Sequence, residues 1–180
     1  MAAEHFFITG ALGCLGAWTM RSLVHDGVPV TAFDLDNNRH RLELVMSAVE
    51  INQVNFIQAD TTQTETVIRA VQETAATHLI HLAALQVPAC QANPVLGARV
   101  NVVGTVNIFE AAKIAGIKQV IYASSVAVYG HSHEYPDSLL SHKAPLRPHT
   151  LYGVYKQANE ETARLYWQDE GIASLALRPY

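Results

Sequence analysis

The chain is poor in several features that mark particular classes of protein. Its 180 residues include two cysteines, Cys14 and Cys90, which are too few for a disulfide framework and fit a reducing compartment. No apolar run approaches the ~18 residues that a membrane span needs, so we expect no membrane partner. Lysine and arginine form no cluster, and the net charge is −4, which argues against a nucleic acid as partner.

Signals for metal binding and for export are also missing. The nine histidines show no spacing of the H-E-x-x-H type, and His131 and His133 fall in a polar segment, so we expect no metal site. The first strand-like run begins at residue 5, which leaves no room for a secretory signal peptide. Together with the low cysteine content, this predicts a cytoplasmic location. The apolar fraction of 49% and the charged fraction of 16% predict a globular protein with a sizeable core.

Short apolar runs alternate with longer helical patterns along the whole chain. The strand-like runs are residues 5–9, 28–33, 54–59, 78–83, 118–124 and 172–177. The helix-like stretches are residues 14–26, 38–49, 62–75, 95–115 and 150–170. Strands that alternate with helices predict right-handed crossovers and an α/β fold, a doubly wound parallel sheet with helices on both faces, in one domain over 1–180. An irregular stretch, 130–149, follows the fifth strand-like run, at the edge where such folds bind ligands.

Three glycines, Gly10, Gly13 and Gly16, lie where the first strand meets the first helix. Gly10 permits a tight turn, Gly13 permits close approach of the backbone to a ligand, and Gly16 allows the helix to pack on its strand. Free N–H groups and the dipole at a helix start favour an anion there, which suggests a pyrophosphate. The spacing differs from the common G-x-G-x-x-G, so an ordinary glycine-rich turn is the alternative.

An acidic residue, Asp34, ends the second strand-like run, near the position where an acid meets the ribose of a dinucleotide. A carboxylate there accepts hydrogen bonds from both ribose hydroxyls and repels a 2′-phosphate, which favours NAD over NADP. Arg39 and Arg41 follow closely and could pair with a phosphate. We favour the other interpretation for these two arginines, in which they are solvated charges on a surface helix.

Groups suited to proton transfer flank the irregular stretch. Ser124 ends the fifth strand-like run, and Ser125 follows it directly. Tyr152 and Lys156 have the i, i+4 spacing that places two side chains on one helix face. An ammonium group beside a phenol lowers the phenol's pKa from ~10, which makes it a base for an alcohol proton near neutral pH. The Tyr-x-x-x-Lys spacing is common by chance, so its weight comes from its combination with the glycine loop and Asp34.

Together these motifs resemble the extended short-chain dehydrogenase/reductases, in particular the NAD-dependent epimerase/dehydratase group that includes UDP-glucose 4-epimerase. The resemblance implies a Rossmann-type fold, NAD as cofactor, and Ser125, Tyr152 and Lys156 as catalytic residues. Ser125 is chosen over Ser124 by its spacing to Val128-Tyr129-Gly130, and Tyr155 is interpreted as a packing residue. The implied cofactor-binding residues are Gly10, Ala11, Leu12, Gly13, Cys14, Leu15, Gly16, Asp34, Leu35, Asp60, Thr61, Leu82, Ala83, Ala84, Asn101, Ala123, Ser124, Tyr152, Lys156 and Pro179.

Departures from the family pattern narrow the expected chemistry. Val126 and Ala127 stand where the family's dehydratases carry an acid, which disfavours elimination. Gln86 stands where some 4-epimerases carry a lysine, which argues against 4-epimerisation of the best-known type. The chain also ends at Tyr180, where the family's smaller substrate-binding domain begins, so we expect that domain to be missing.

The expected function is reversible oxidation of a secondary alcohol in a sugar or nucleotide sugar by an NAD-dependent epimerase. One alternative is an NAD-dependent dehydrogenase of a sugar, sugar acid or hydroxy amino acid that uses the same residues. A second alternative is a non-catalytic NAD-binding module. The resemblance further implies a homodimer through the helices predicted at 95–115 and 150–170.

Overall fold

The computed structural model describes residues 4–136 and 139–180, and six strands form one sheet within them. The strands are β1 (Phe6–Thr9), β2 (Val30–Asp34), β3 (Asn55–Gln58), β4 (His78–His81), β5 (Gln119–Ala123) and β6 (Ala173–Leu177). Their order is β3-β2-β1-β4-β5-β6, and every neighbouring pair is parallel. The order reverses between β1 and β4, which opens a crevice at their carboxyl ends. The predicted doubly wound parallel sheet is confirmed.

Eight α-helices connect or flank the strands in the described part of the chain. They are α1 (Cys14–His25), α2 (His40–Glu43), α3 (Ala48–Ile51), α4 (Thr64–Glu73), α5 (Val87–Ala92), α6 (Pro94–Ala98), α7 (Gly104–Ala115) and α8 (Leu151–Glu170). A π-helical turn, Arg99–Val103, joins α6 to α7, and short 3₁₀ turns occur at Val126–Val128 and Ser132–Glu134. Among the described helices, none is both long and apolar enough to cross a membrane.

Several helix boundaries differ from the sequence prediction. The stretch predicted at 38–49 is two short helices, because Ser47 starts a new one with a capping box. Its hydroxyl accepts a hydrogen bond from the Glu50 N–H, and the Glu50 carboxylate accepts one from the Ser47 N–H. The α5 helix was not predicted, since its six residues are too few to show a helical period. The predicted C-cap at Gly116 is confirmed, with φ of 73°.

The hydrophobic core lies on both faces of the sheet. Successive side chains of a strand point to opposite faces, so Phe7 packs on the side of α4, α7 and α8, whereas Ile8 packs on the side of α1 and α2. Phe109 of α7 and Met20 of α1 are fully buried in these two layers. Because helices cover both faces of the sheet, a ligand can reach it at the carboxyl ends of the strands.

Candidate active site

The glycine loop after β1 is shaped by close backbone contacts. Gly10 has φ of +66°, and a Cβ there would lie 2.5 Å from the backbone nitrogen of Ala83. A Cβ on Gly16 would lie 2.3 Å from the carbonyl oxygen of Ala11. Gly16 therefore makes room for backbone carbonyls of the loop that joins β1 to α1.

The N-terminus of α1 is suited to an anion. Gly13 occupies the N-cap position, and the first turn contains no acidic residue. Within the described ranges no side chain caps this helix, so the first N–H groups of α1 have no side-chain partner. The partial positive charge of the helix start adds to their pull on a phosphate.

Asp34 is held beside this loop at the end of β2. Its Oδ2 accepts a hydrogen bond from the Leu12 N–H at 2.9 Å, and its Oδ1 accepts one from the Asp36 N–H at 3.2 Å. The Arg39 guanidinium lies over the Phe56 ring at 3.7 Å from the centroid. Arg39 is exposed, in keeping with its interpretation as a surface charge, and its guanidinium also packs on an aromatic face.

We expect the protein to bind NADH more tightly than NADPH, by several-fold to about a hundredfold, because repulsion between Asp34 and a 2′-phosphate costs ~1–3 kcal/mol. Asp34→Asn keeps an oxygen for the Leu12 N–H but removes the charge, and should bring the two affinities close together. Fluorescence titration with both reduced cofactors measures the ratio. Arg39→Gln is the control, and equal affinities in the parent protein would contradict the role given to Asp34.

The phenol of Tyr152 and the ammonium of Lys156 meet the end of β5 from one face of α8. Both side chains are buried, at 7% and 2% exposure. The Lys156 Nζ donates a hydrogen bond to the Ala123 carbonyl at 2.6 Å and lies 5.7 Å from the centre of the Tyr152 ring. Thr150 caps the helix by accepting a hydrogen bond from the Gly153 N–H, which sets the register of this face.

Burial dominates the electrostatics of this pair. It raises the pKa of the Tyr152 phenol above its usual value, while the side chains of Ser125 and Gln86 act to lower it. Burial also lowers the pKa of Lys156 to about 8. The predicted lowering of the Tyr152 pKa by Lys156 is wrong for this arrangement, because the ammonium is bound to the Ala123 carbonyl and loss of solvation outweighs the other effects.

The two serines after β5 have different partners. Ser125 starts the 3₁₀ turn 126–128, where its hydroxyl accepts a hydrogen bond from the Ala127 N–H at 3.1 Å. The Ser124 hydroxyl donates to Glu160 at 2.5 Å and is 1% exposed. The side chain of Ser124 is therefore turned away from the crevice, and the cofactor contact predicted for this residue would have to come from its backbone.

Asn101 also differs from the prediction. It is fully buried in the π-helical turn, and its amide bonds the backbone of Leu85 twice, accepting from the N–H at 2.7 Å and donating to the carbonyl at 2.9 Å. Its NH₂ group also donates to the Cys90 sulfur at 3.3 Å. Asn101 therefore holds the segment after β4 in place.

His81, the last residue of β4, supports the same region. Its ring lies between the hydroxyls of Thr9 and Thr105, at 2.6 and 3.0 Å. Thr105 donates to the Asn101 carbonyl, so it accepts from His81 Nε2–H, and Nδ1 accepts from Thr9. Burial lowers the pKa of His81 to about 3, which keeps the ring neutral.

The remaining predicted residues lie on segments that follow the carboxyl ends of strands. Asp60 accepts a hydrogen bond from the Thr62 N–H at 2.8 Å, and the Thr61 carbonyl accepts one from the Asn107 amide at 2.8 Å. Leu35 follows β2, Leu82, Ala83 and Ala84 follow β4, and Pro179 follows β6. In residues 4–136 and 139–180, no group of three or more histidine, cysteine or acidic side chains is arranged to hold a metal ion.

Comparison with known proteins relates this geometry to a family. The model of the NAD dependent epimerase/dehydratase family matches residues 6–180. UDP-glucose 4-epimerase of Mycolicibacterium smegmatis is 34% identical over 161 residues, which are 88% of this chain and 50% of that protein. UDP-glucose 4-epimerase of Thermus thermophilus, solved with NAD, superposes with a TM-score of 0.83 at 28% identity, covering 97% of this chain and 54% of that one.

A dehydrogenase is among the similar structures as well. A mutated uronate dehydrogenase superposes with a TM-score of 0.78 at 26% identity, covering 97% of this chain and 58% of that one. This chain therefore spans about half the length of the relatives it matches.

Proposed function

Because the chain belongs to the NAD-dependent epimerase/dehydratase family, we propose that it oxidises a secondary alcohol of a sugar or nucleotide sugar reversibly, as an NAD-dependent epimerase. The observation that carries the proposal is the convergence of Ser125, Tyr152 and Lys156 at the end of β5, beside the crevice between β1 and β4. A phenol, an ammonium group and a hydroxyl at one strand end are the groups that alcohol oxidation requires.

The crevice fits NAD on the evidence of its own backbone. The backbone leaves no space for a Cβ at Gly10 or Gly16, no side chain in the described residues caps the start of α1, and Asp34 is bonded to the loop through the Leu12 N–H. We propose that these residues hold the adenosine half, and that the segments after β4, β5 and β6 line the nicotinamide half. NAD supplies a hydride acceptor at the nicotinamide ring.

Each residue of the candidate centre has a separate task in this proposal. Tyr152 takes the hydroxyl proton in its ionised form, which burial makes the minor form near neutral pH, and the Ser125 hydroxyl orients the substrate oxygen by donating to it. Lys156, which is mostly protonated at neutral pH with a pKa of about 8, stabilises the phenolate and binds the nearby ribose. Gln86, whose side chain lies beside Tyr152, contacts the substrate in this proposal. Val126 and Ala127 carry no acid, so the site is suited to oxidation and reduction at one carbon without elimination.

One set of measurements separates the epimerase from its two alternatives. The 180-residue chain is titrated with NADH and then assayed against UDP-sugars, GDP-sugars and free uronates. Isomerised product without accumulation of NADH supports the epimerase. Net NADH production identifies a dehydrogenase, to which the uronate dehydrogenase neighbour points. Tight NADH binding with neither product identifies a non-catalytic module, and absence of NADH binding would overturn the proposal.

We propose that a second copy of the chain covers α6, α7 and α8. These helices pack together, and apolar side chains on them stay exposed: Val154 of α8 is 46% exposed, and Val95 of α6 and Leu165 of α8 are exposed as well. Val103, in the π-helical turn between α6 and α7, is 44% exposed. Exposed apolar side chains on neighbouring helices are typical of an interface.

We therefore expect sedimentation equilibrium to give a dimer and Val154→Glu to give a monomer, because a charge at the centre of an apolar contact loses its hydration on association. Val49→Glu, an equally conspicuous exposed valine on α3, is the control and should remain dimeric. A monomeric parent chain at micromolar concentration would contradict the interface.

A further inference from the structure

Three side chains on one face of α8 lie in a row, and two of them bond Ala123 and Ser124 at the end of β5. Tyr152, Lys156 and Glu160 follow one another at intervals of four residues, so they form a row along the helix. Lys156 donates to the Ala123 carbonyl at 2.6 Å, and Glu160 accepts from the Ser124 hydroxyl at 2.5 Å. The third side chain, Tyr152, lies near enough to Ser125 for that side chain to act to lower its pKa, and this pair belongs to the proposed reaction, whereas the Glu160 contact has no place in it.

Close packing keeps this row against the strand end. A Cβ on Gly153 would lie 2.2 Å from the Ala127 carbonyl oxygen, which is closer than any real contact. The first turn of α8 therefore touches the backbone of the 3₁₀ turn that starts at Ser125. Small displacements of residues 124–128 would change the distance between the Ser125 hydroxyl and the Tyr152 phenol directly.

Glu160 is the hub of a largely buried ion pair. Its side chain is 13% exposed and that of Arg178 is 21% exposed. The guanidinium binds the carboxylate in a bidentate way: Nε donates to Oε1 at 2.8 Å and Nη2 donates to Oε2 at 2.6 Å. Burial by itself would raise the pKa of Glu160, but the hydrogen bonds from Arg178 and Ser124 outweigh it and hold the pKa below its usual value.

Arg178 extends this network to the segments around the candidate centre. Its Nη1 donates to the Tyr129 hydroxyl and to the His142 carbonyl, the latter at 3.1 Å. The next residue, Pro179, accepts a hydrogen bond through its carbonyl from the Val126 N–H at 3.2 Å. The ends of β5 and β6 and the segment after Ser125 are thus tied to α8 through one pair of charges.

We propose that Ser124, Glu160 and Arg178 are positioning residues that set the Ser125 hydroxyl against the Tyr152 phenol. Ser124 and Ser125 are adjacent, so fixing the side chain of the first on Glu160 fixes the direction of the second. Proton transfer requires partners within ~2.6–3.2 Å, and a misplacement of ~1 Å can cost about a hundredfold in rate. The inference rests on the proposed function, since it takes Ser125 and Tyr152 as the reacting pair.

The competing explanation is that the ion pair only fastens β6 to α8. A buried ion pair is weak evidence for stability, because the loss of hydration offsets much of the attraction between the charges. The two explanations differ in one observable, which is the ionisation of Tyr152. The Ser125 side chain helps to lower the Tyr152 pKa, so displacing that hydroxyl raises it.

The test uses Ser124→Ala, which removes one hydroxyl and leaves the ion pair, and Glu160→Gln, which removes the charge of the hub. Tyrosine labelled with carbon-13 at Cζ is incorporated into the chain, and Tyr152→Phe assigns one resonance among the seven tyrosines. We expect the acid dissociation constant of Tyr152 to fall about threefold to tenfold in each variant, the effect of one weakened hydrogen bond. The double variant should show no further fall. Glu161→Gln changes a residue next to Glu160 that pairs with exposed Arg164, and it should leave the constant unchanged.

An unchanged Tyr152 titration in Ser124→Ala, with a lower unfolding midpoint, would overturn the proposal and leave a purely structural ion pair. If Glu160→Gln fails to fold, Ser124→Ala still decides the question. The titration needs neither cofactor nor turnover, so a failure of NADH binding in the parent chain would refute the proposed function separately. In a form that turns substrate over, Ser124→Ala should lower kcat about tenfold to a hundredfold with KM little changed.

Discussion

In a form that turns substrate over, Tyr152→Phe is expected to lower turnover by about 10²–10⁴-fold while NADH binding is retained. The substitution removes one oxygen, the atom that would take the substrate proton, and leaves the ring in its buried place beside Ser125. Loss of a single hydrogen-bonding group costs ~0.5–1.5 kcal/mol of unfolding free energy, which a domain of this size tolerates. Steady-state kinetics and NADH titration on the same preparation give both quantities.

Tyr155→Phe is the matched control for this substitution. Tyr155 lies on the same helix, and its hydroxyl donates to the Pro94 carbonyl at 3.0 Å, far from the end of β5. Its loss weakens the contact between α8 and α6 but should spare most of the turnover. If Tyr155→Phe were the inactive variant and Tyr152→Phe the active one, the assignment of the base would be reversed.

The unfolding free energy of the parent protein is expected to rise with pH, and Lys156→Met is expected to abolish this rise. Burial holds the pKa of Lys156 at about 8, below the ~10.4 of an unfolded chain. Between these values the unfolded chain keeps its proton and the folded chain loses it, so stability rises with pH across this window. At about 1.36 kcal/mol for each unit of pKa, the rise due to Lys156 is about 3 kcal/mol.

Turnover should fall by about a hundredfold or more, because the phenolate loses its stabilising charge.

Denaturant titrations of the parent and Lys156→Met at pH 7.5 and pH 10.5 measure this difference. Cys90 and Tyr152, which lie near Lys156, titrate in both proteins, so the difference isolates the lysine. Lys113→Met is the control. Its ammonium is exposed, and its hydrogen bond with Glu170 raises its pKa, so removing it should leave the rise in place. A rise of equal size in Lys156→Met would show that Lys156 is not charged and buried as described.

The parts of this protein that could be predicted from the sequence rest on local regularities. Six short apolar runs separated by helical patterns predict a parallel sheet, and each strand from β1 to β6 overlaps its predicted run. The i, i+4 spacing brings Tyr152 and Lys156 to one helix face in any α-helix, and the turn at Gly10 requires a positive φ that glycine allows. Such features depend on neighbours in sequence, so the sequence contains the information.

Only the tertiary structure decided which groups are bonded to one another. Glu160 and Arg178 lie 18 residues apart, and both meet at the end of β5 because α8 packs across the ends of β5 and β6. Asn101 was assigned to the cofactor, yet its amide is used by Leu85, a partner supplied by the segment after β4. The pKa of Tyr152 is raised and not lowered, because burial is a property of the packed molecule and no spacing of residues records it. The chain's local pattern therefore determined the scaffold and the candidate reacting groups, whereas their hydrogen-bond partners and ionisation depended on contacts between segments that are distant in sequence.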